Sequence, residues 1–178
     1  MKRILTLILM LVLCVFAICS CSDSAAEPVT SLTKSAKEIA AAVQAGAEFP
    51  GATFVASDEM DADLVLMFNY AIETDEMINA IEDYVLSTQT QRDNPTFFSV
   101  IRVKEGTDPA IITAMAEALK TGYPKYNIEQ MNLYNTDGLP VAEGYTLKTY
   151  DNGIIVTAYN ENGNNEIIAL AEDACRAD

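Results

Sequence analysis

Leu32, Ala36, Ile39, Ala40 and Val43 recur at helical spacing and predict an amphipathic helix over Thr33 to Ala45. Ser35 and Glu38 stand three apart as a capping box, and Gly46 is placed to stop the helix. Phe49-Pro50-Gly51 turns the chain, and the acidic run from Asp58 to Asp63 leads into Leu64-Val65-Leu66-Met67-Phe68, read as a short buried helix. From Ile72 to Gln89 two periods fit. Met77, Ile78, Ile81, Tyr84, Val85 and Thr88 make a helical stripe. Alternatively, a helical turn begun by Thr74 is followed by a strand from Tyr84 to Thr88, which would pair with the next segment across the loop from Gln89 to Pro95. Thr96 to Lys104, rich in aromatic and β-branched residues, predicts a strand.

Thr107-Asp108-Pro109, with a capping side chain and proline in the first turn, opens a further helix to Thr121, whose apolar face is Ile111, Ile112, Met115, Ala118 and Leu119. Gly122 and Pro124 are expected to end it. Ile128 to Tyr134 reads as another helical turn or two, closed by the turn residues Asn135 to Gly138. Asn152-Gly153 predicts a hairpin with a two-residue loop that pairs Tyr150 with Ile155, Thr149 with Val156 and Leu147 with Ala158. Its core face would carry Leu147, Ile154, Val156 and Ala158. The other face would carry Lys148, Tyr150, Thr157 and Tyr159 outward, as a candidate binding face for an envelope protein or a glycan. Asn164 or Asn165 caps a final helix, Glu166 to Cys175. The expected fold is α+β: an antiparallel sheet of about four strands, built from two hairpins and packed by three or more helices.

The amino terminus has a different pattern. Lys2 and Arg3 precede an almost unbroken apolar run from Ile4 to Ile18, and then Cys19-Ser20-Cys21 gives way to the polar Ser22-Asp23-Ser24. A helix over that run spans roughly 22 Å, short of the ~30 Å hydrocarbon thickness, which favours a cleaved signal over a permanent span. Counting Cys19 to Ser22 as weakly apolar lengthens the run, and an uncleaved anchor is the alternative. Ile18, Ser20 and Cys21 resemble the lipobox of bacterial lipoproteins. The resemblance implies cleavage before Cys21 and a diacylglyceryl thioether on that residue, holding the protein by lipid to the extracytoplasmic face of the cell membrane. The chain then divides into a signal peptide (1–20), a lipidated tether (21–31) and one domain (32–178).

Composition narrows the chemistry. Eleven basic residues face 26 acidic ones, a formal charge of −15, and loss of Lys2 and Arg3 with the signal would make it two units more negative. Such a field repels nucleic acid and anionic headgroups, so no nucleic-acid partner is expected. Histidine is absent, which removes Ser-His-Asp and Cys-His catalysis and the usual zinc sites. Of the four cysteines Cys14 and Cys19 belong to the signal and Cys21 to the lipid, leaving Cys175 as a small core residue without a partner for a disulfide.

Asp58, Glu59, Asp61 and Asp63 are dense enough to suggest calcium, but they lack the glycine and distal glutamate of an EF-hand loop, and they suit a helix start. The stretch Asn160 to Glu166 has its glutamate too early for such a loop. The adjacent acids Glu82/Asp83 and Glu172/Asp173 point apart, so no catalytic pair is selected, and neither a metal nor a cofactor is expected.

With these elements in order, the chain resembles a family of small lipoproteins of anaerobic Gram-positive bacteria, defined only as a domain of unknown function. The residues that carry the likeness are the helix at Ser35 to Val43, the Asn69-Tyr70-Ala71-Ile72 centre, Ile101-Arg102-Val103-Lys104, and Asp151-Asn152-Gly153-Ile154-Ile155-Val156. The resemblance implies a strand at Tyr84 and a non-enzymatic role, and it supplies no catalytic residues. The expected function is a non-catalytic ligand- or protein-binding module of the envelope. The alternatives are an envelope hydrolase using carboxylates and a calcium-binding envelope protein.

Overall fold

The computed structural model describes residues 27–89, 91–160 and 163–177. Cys21 and the expected signal peptide (1–20) lie outside them. The fold is α+β, and local capping fixes where most of its helices begin. Helix α1 (Ala36–Gly46) starts at Ser35, whose hydroxyl accepts from the Glu38 N–H while the Glu38 carboxylate accepts from the Ser35 N–H at 3.0 Å. Loss of such a cap costs about 1 kcal/mol. Strand β1 (Ala52–Ala56) follows, then helix α2 (Ala62–Tyr70) and helix α3 (Asp75–Ala80), whose first turn is capped by the Thr74 hydroxyl at 3.3 Å from the Met77 nitrogen. Strands β2 (Ile81–Gln89) and β3 (Phe97–Val103) form the hairpin expected across the 89–95 loop, so Tyr84 is in a strand.

Asp108 caps helix α4 (Pro109–Thr121) through a 2.9 Å bond from Ala110. Pro124 does not close that helix further but sits in the first turn of a second one, α5 (Tyr123–Tyr134), where its missing N–H costs nothing. A 3₁₀ turn (Thr136–Gly138), helix α6 (Leu139–Glu143), the hairpin of β4 (Thr146–Tyr150) and β5 (Gly153–Ala158), and helix α7 (Asn164–Arg176) complete the chain. Neither Asn164 nor Asn165 is the cap of α7. That position is Gly163, and the Asn164 amide instead donates to the Gly144 carbonyl at 2.7 Å.

The sheet has five antiparallel strands in the order β1-β2-β3-β5-β4, one more than expected. The addition is β1, which pairs Ala52 with Gln89 through to Ala56 with Val85. Both faces are covered. On one, Leu66, Tyr70, Leu86, Ile101, Met115, Leu119, Tyr123 and Ile154 pack beneath α2, α4 and α5. On the other, Ile39, Val43, Val85, Phe98, Val100, Tyr150, Ile155, Ile167 and Ala171 pack beneath α1 and α7. A fully buried aliphatic or aromatic side chain contributes roughly 1.5–3 kcal/mol, so these two layers dominate stability.

The β4–β5 turn differs from expectation in register. Tyr150 pairs with Gly153 and Leu147 with Val156, two residues away from the expected pairing, which leaves each side chain on its expected face. The cause is distant. The Asn152 side chain accepts from the Leu32 N–H at 2.7 Å and donates to the Leu32 carbonyl at 3.1 Å, while the Asp151 N–H reaches the Thr30 carbonyl at 2.8 Å. Asp151 and Asn152 therefore form the loop, and Gly153 enters the strand. A Cβ there would lie 2.6 Å from the Ile101 carbonyl oxygen, so glycine is needed for close approach rather than for the turn. The same clasp holds Thr30 and Leu32 against the Val103 end of β3.

Candidate functional site

Helix α2 is apolar almost all round, but only one side of it rests on the sheet. Ala62, Leu66 and Tyr70 are buried, whereas Phe68 is 79 % exposed and Leu64 49 %. The expectation of a buried helix is thus corrected. Five consecutive apolar residues on a short helix cannot all face one sheet. Among the described residues, the large hydrophobic side chains left exposed are Met60, Leu64, Phe68, Tyr126, Leu133 and Tyr134. All lie on α2, just before it, or on α5, and so on the same side of the sheet.

Between these helices is an open cleft of about 590 Å³, lined by Phe68, Asn69, Glu73, Lys125, Tyr126 and Glu129 among others. Its walls are tightly held. Gly122, at the α4–α5 junction, is so close to the end of α2 that a Cβ would lie 2.6 Å from the Tyr70 carbonyl carbon. Ala71 takes a left-handed conformation with φ 58°, and Asp61, at the other end of α2, one with φ 63°. Two non-glycine residues held in this region bracket the exposed helix, a conformation that persists only where the surroundings enforce it. Tyr126 is backed by a file of rings: it lies 6.0 Å from Tyr123, which stacks on Tyr70 at 5.1 Å and meets Phe97 edge-on at 5.1 Å. Burial pushes the Tyr123 and Tyr70 hydroxyls well above the ordinary tyrosine range, so both stay neutral.

The candidate face on the hairpin is not open. Tyr150 is 5 % exposed and Thr157 fully buried, because α7 crosses over them. Thr157 donates to the Phe97 carbonyl at 2.9 Å. Tyr159 is half-buried against Phe49, with ring centroids 5.3 Å apart. Lys148 pairs with Glu172, and the Tyr150 hydroxyl donates to the same carboxylate at 3.1 Å. Burial pulls Glu172 upward, but the bonds from Lys148 and Tyr150 and the charges of Lys148 and Arg176 prevail and hold it below its usual value. These side chains bind one another, and α7 to the sheet.

The acids singled out before α2 are dispersed. Asp58 pairs with Lys37 at 2.7 Å, Glu59 accepts from the Ala56 N–H at 3.0 Å, and Asp63 accepts from the Tyr84 hydroxyl at 2.8 Å. Asp61 makes no capping bond. Among the described residues no group of three or more acids, histidines or cysteines is arranged to hold a metal ion. The 160–166 stretch includes two residues outside them. Asp83 is also engaged: a shift in the β2 register between Ile81 and Asp83 directs its carboxylate to Arg102 at 3.0 Å and to the Ala36 N–H at the start of α1. Burial outweighs Arg102 there and raises the Asp83 carboxyl above its ordinary value.

In the sequence Leu64 and Phe68 stand out only as part of an apolar run, and neither they nor Tyr126 mark a site until the neighbouring helices are placed. Compared with protein-family models, with curated proteins and with solved structures, the chain matches none.

Proposed function

We propose that this protein is a non-catalytic binding module, held by lipid on Cys21 at the outer face of the cell membrane, that captures an envelope protein on the α2–α5 face. One observation carries the reading: the exposed large hydrophobic side chains are concentrated on α2 and α5 around a cleft with rigid walls, instead of being scattered. Placement agrees with it. The tether end is clasped at the Val103 pole of β3, and α5 meets the other pole, where Asn127 donates to the Pro95 carbonyl at 2.7 Å. At ~3.3 Å per residue the seven residues of β3 separate the poles by about 23 Å, so α5 lies on the side away from the tether. The lipobox resemblance supplies the anchor. Of the carboxylates considered for hydrolysis, Asp83 is committed to Arg102, Glu172 to Lys148 and Arg176, and Asp173 to Arg176.

The test is a photo-reactive residue at position 68 of the full chain expressed in a host cell, compared with one at Ala169, exposed on the opposite side of the sheet. A discrete adduct from position 68 alone, lost on Leu64→Ser, is expected. Equal labelling from both positions, or from neither, would overturn the binding face. Cys21→Ala should release the protein from membranes, and full retention would remove the lipid anchor.

A further inference from the structure

Resting on that binding reading, we infer that the segment received by the α2–α5 face is a cationic amphipathic helix of a partner protein. Leu64 and Phe68 stand one turn apart on α2, and the exposed Met60 lies just before the helix. Four residues of helix advance about 6 Å, so this pair offers apolar contacts at the interval at which a facing helix repeats its own anchors. Leu133 extends exposed apolar surface along α5, whereas Tyr134 is engaged by Arg92, whose guanidinium lies 5.9 Å from its ring centroid. A single small hydrophobic ligand would need an enclosed pocket, whereas this is an open, elongated face.

Charge selects the kind of helix. Asp61 adjoins Met60, while Glu73 and Glu129 line the cleft with Phe68 and Tyr126. Among the described residues none of these three carboxylates is in an ion pair, unlike Asp58, Asp83 and Glu172. Among the described residues Lys125 is the one base lining the cleft, and Arg92 stands at the Tyr134 end of α5. The apolar row thus has an acidic rim on a chain whose formal charge is −15. A second copy would bring the same acids against this rim, and an anionic bilayer would bring its phosphates, so both are repelled. A segment with leucine-like anchors and flanking lysine or arginine meets both requirements, and its charges would also steer association.

The probe is a peptide of about five helical turns with leucine on one face and lysine on the other. Two controls accompany it: a leucine–glutamate version, and a scrambled lysine peptide with the same composition and no apolar face. Binding is measured to the full chain in discs of zwitterionic lipid. The signal is the difference between wild type and Leu64→Ser/Phe68→Ser in identical discs, because adsorption to lipid is common to both. Both substituted side chains are solvent-exposed, and circular dichroism checks that the variant is folded.

The lysine peptide should bind the wild type about tenfold more tightly than this variant, the loss expected when central apolar anchors are removed. Neither control should show the difference. Glu73→Lys/Glu129→Lys should weaken the lysine peptide and admit the glutamate one, and added salt should weaken the lysine peptide. Equal affinity for wild type and the Leu64/Phe68 variant, or a glutamate peptide that binds as well, would overturn the proposal. So would quenching of a fluorophore at position 64 by brominated lipid in peptide-free discs, which would assign the face to the bilayer. A position-68 adduct in cells without lysine-peptide binding rejects the cationic helix and leaves the binding face; failure of both rejects both.

Discussion

The hydroxyl oxygens of Tyr70 and Ser99 lie 2.5 Å apart in the interior, where the paired register of β2 and β3 has ended at Val85 and Val100. The Ser87 N–H donates to the Ser99 hydroxyl at 2.9 Å, and the Tyr70 hydroxyl donates to the Ser87 carbonyl at 2.6 Å. With the tyrosine proton committed to that carbonyl, Ser99 is the donor to Tyr70. The three groups close a ring in which each bond polarises the next. Through it the end of α2, and with it one wall of the cleft, is fixed to the centre of the sheet.

Ser99→Ala should therefore strand the Ser87 N–H, and Tyr70→Phe should strand the Ser87 carbonyl. Each is expected to cost about 1–3 kcal/mol, the penalty for an unsatisfied buried polar group. Because both act on one ring, the double variant should lose less than the sum of the two singles. Denaturant titration of the four proteins checks this, and strict additivity would mean that the ring is not a unit.

Gly122 tests the same wall sterically. An alanine Cβ would fall 2.6 Å from the Tyr70 carbonyl carbon and 2.7 Å from its oxygen, both of them backbone atoms that cannot rotate away. Gly122→Ala should lower stability by about 1–3 kcal/mol and shift the Tyr126 environment. By contrast, Gly46→Ala meets only the flexible Leu170 side chain and should be milder. Thermal melts of the two variants compare them directly, and equal melting points would contradict the tight junction.

How far these features were legible depended on the range of the contacts that decide them. Ser35, Thr74 and Asp108 start their helices through partners within three residues, and the sequence displays them openly. Strand β1 is only five residues long and sits between a turn and an acidic run, so its alternation was too short to register. The hairpin faces followed from the period of two. Their register did not, because Asn152 answers to Leu32, which is 120 positions away. Nor did the burial of Tyr150 and Thr157, which depends on where α7 crosses. The cleft was hidden for a related reason: an apolar run shows that a helix is apolar, whereas its uncovered side emerges only once neighbouring helices are placed.

Calcium should leave the melting temperature unchanged at millimolar concentration. Asp58, Glu59 and Asp63 already have separate protein partners, so a cation would have to break those bonds to gather them. Differential scanning fluorimetry with calcium and with chelator makes the comparison. A rise of several degrees would show a bound ion linked to the fold.

Acid stability should depend on Glu172. Its carboxyl is held below the ordinary value of 4.5, so the folded state binds its proton less readily than the unfolded chain does. The stabilisation from Lys148, Tyr150 and Arg176 is then fully present above about pH 4.5 and is lost as pH falls through the lower folded value. Asp83 acts in the opposite sense: its raised carboxyl makes the folded state the better proton acceptor, so its ionisation costs stability as pH rises through the folded value. Glu172→Gln should be less stable than wild type at neutral pH, where it abandons Lys148 and leaves the α7–β4 contact without its charge. The gap should narrow below pH 4.5 as the wild type loses the same interaction. Asp83→Asn should show no such narrowing. Melting temperatures of the three proteins from pH 3 to 7 separate the two carboxylates, and a constant gap for Glu172→Gln across that range would remove Glu172 from the acid response.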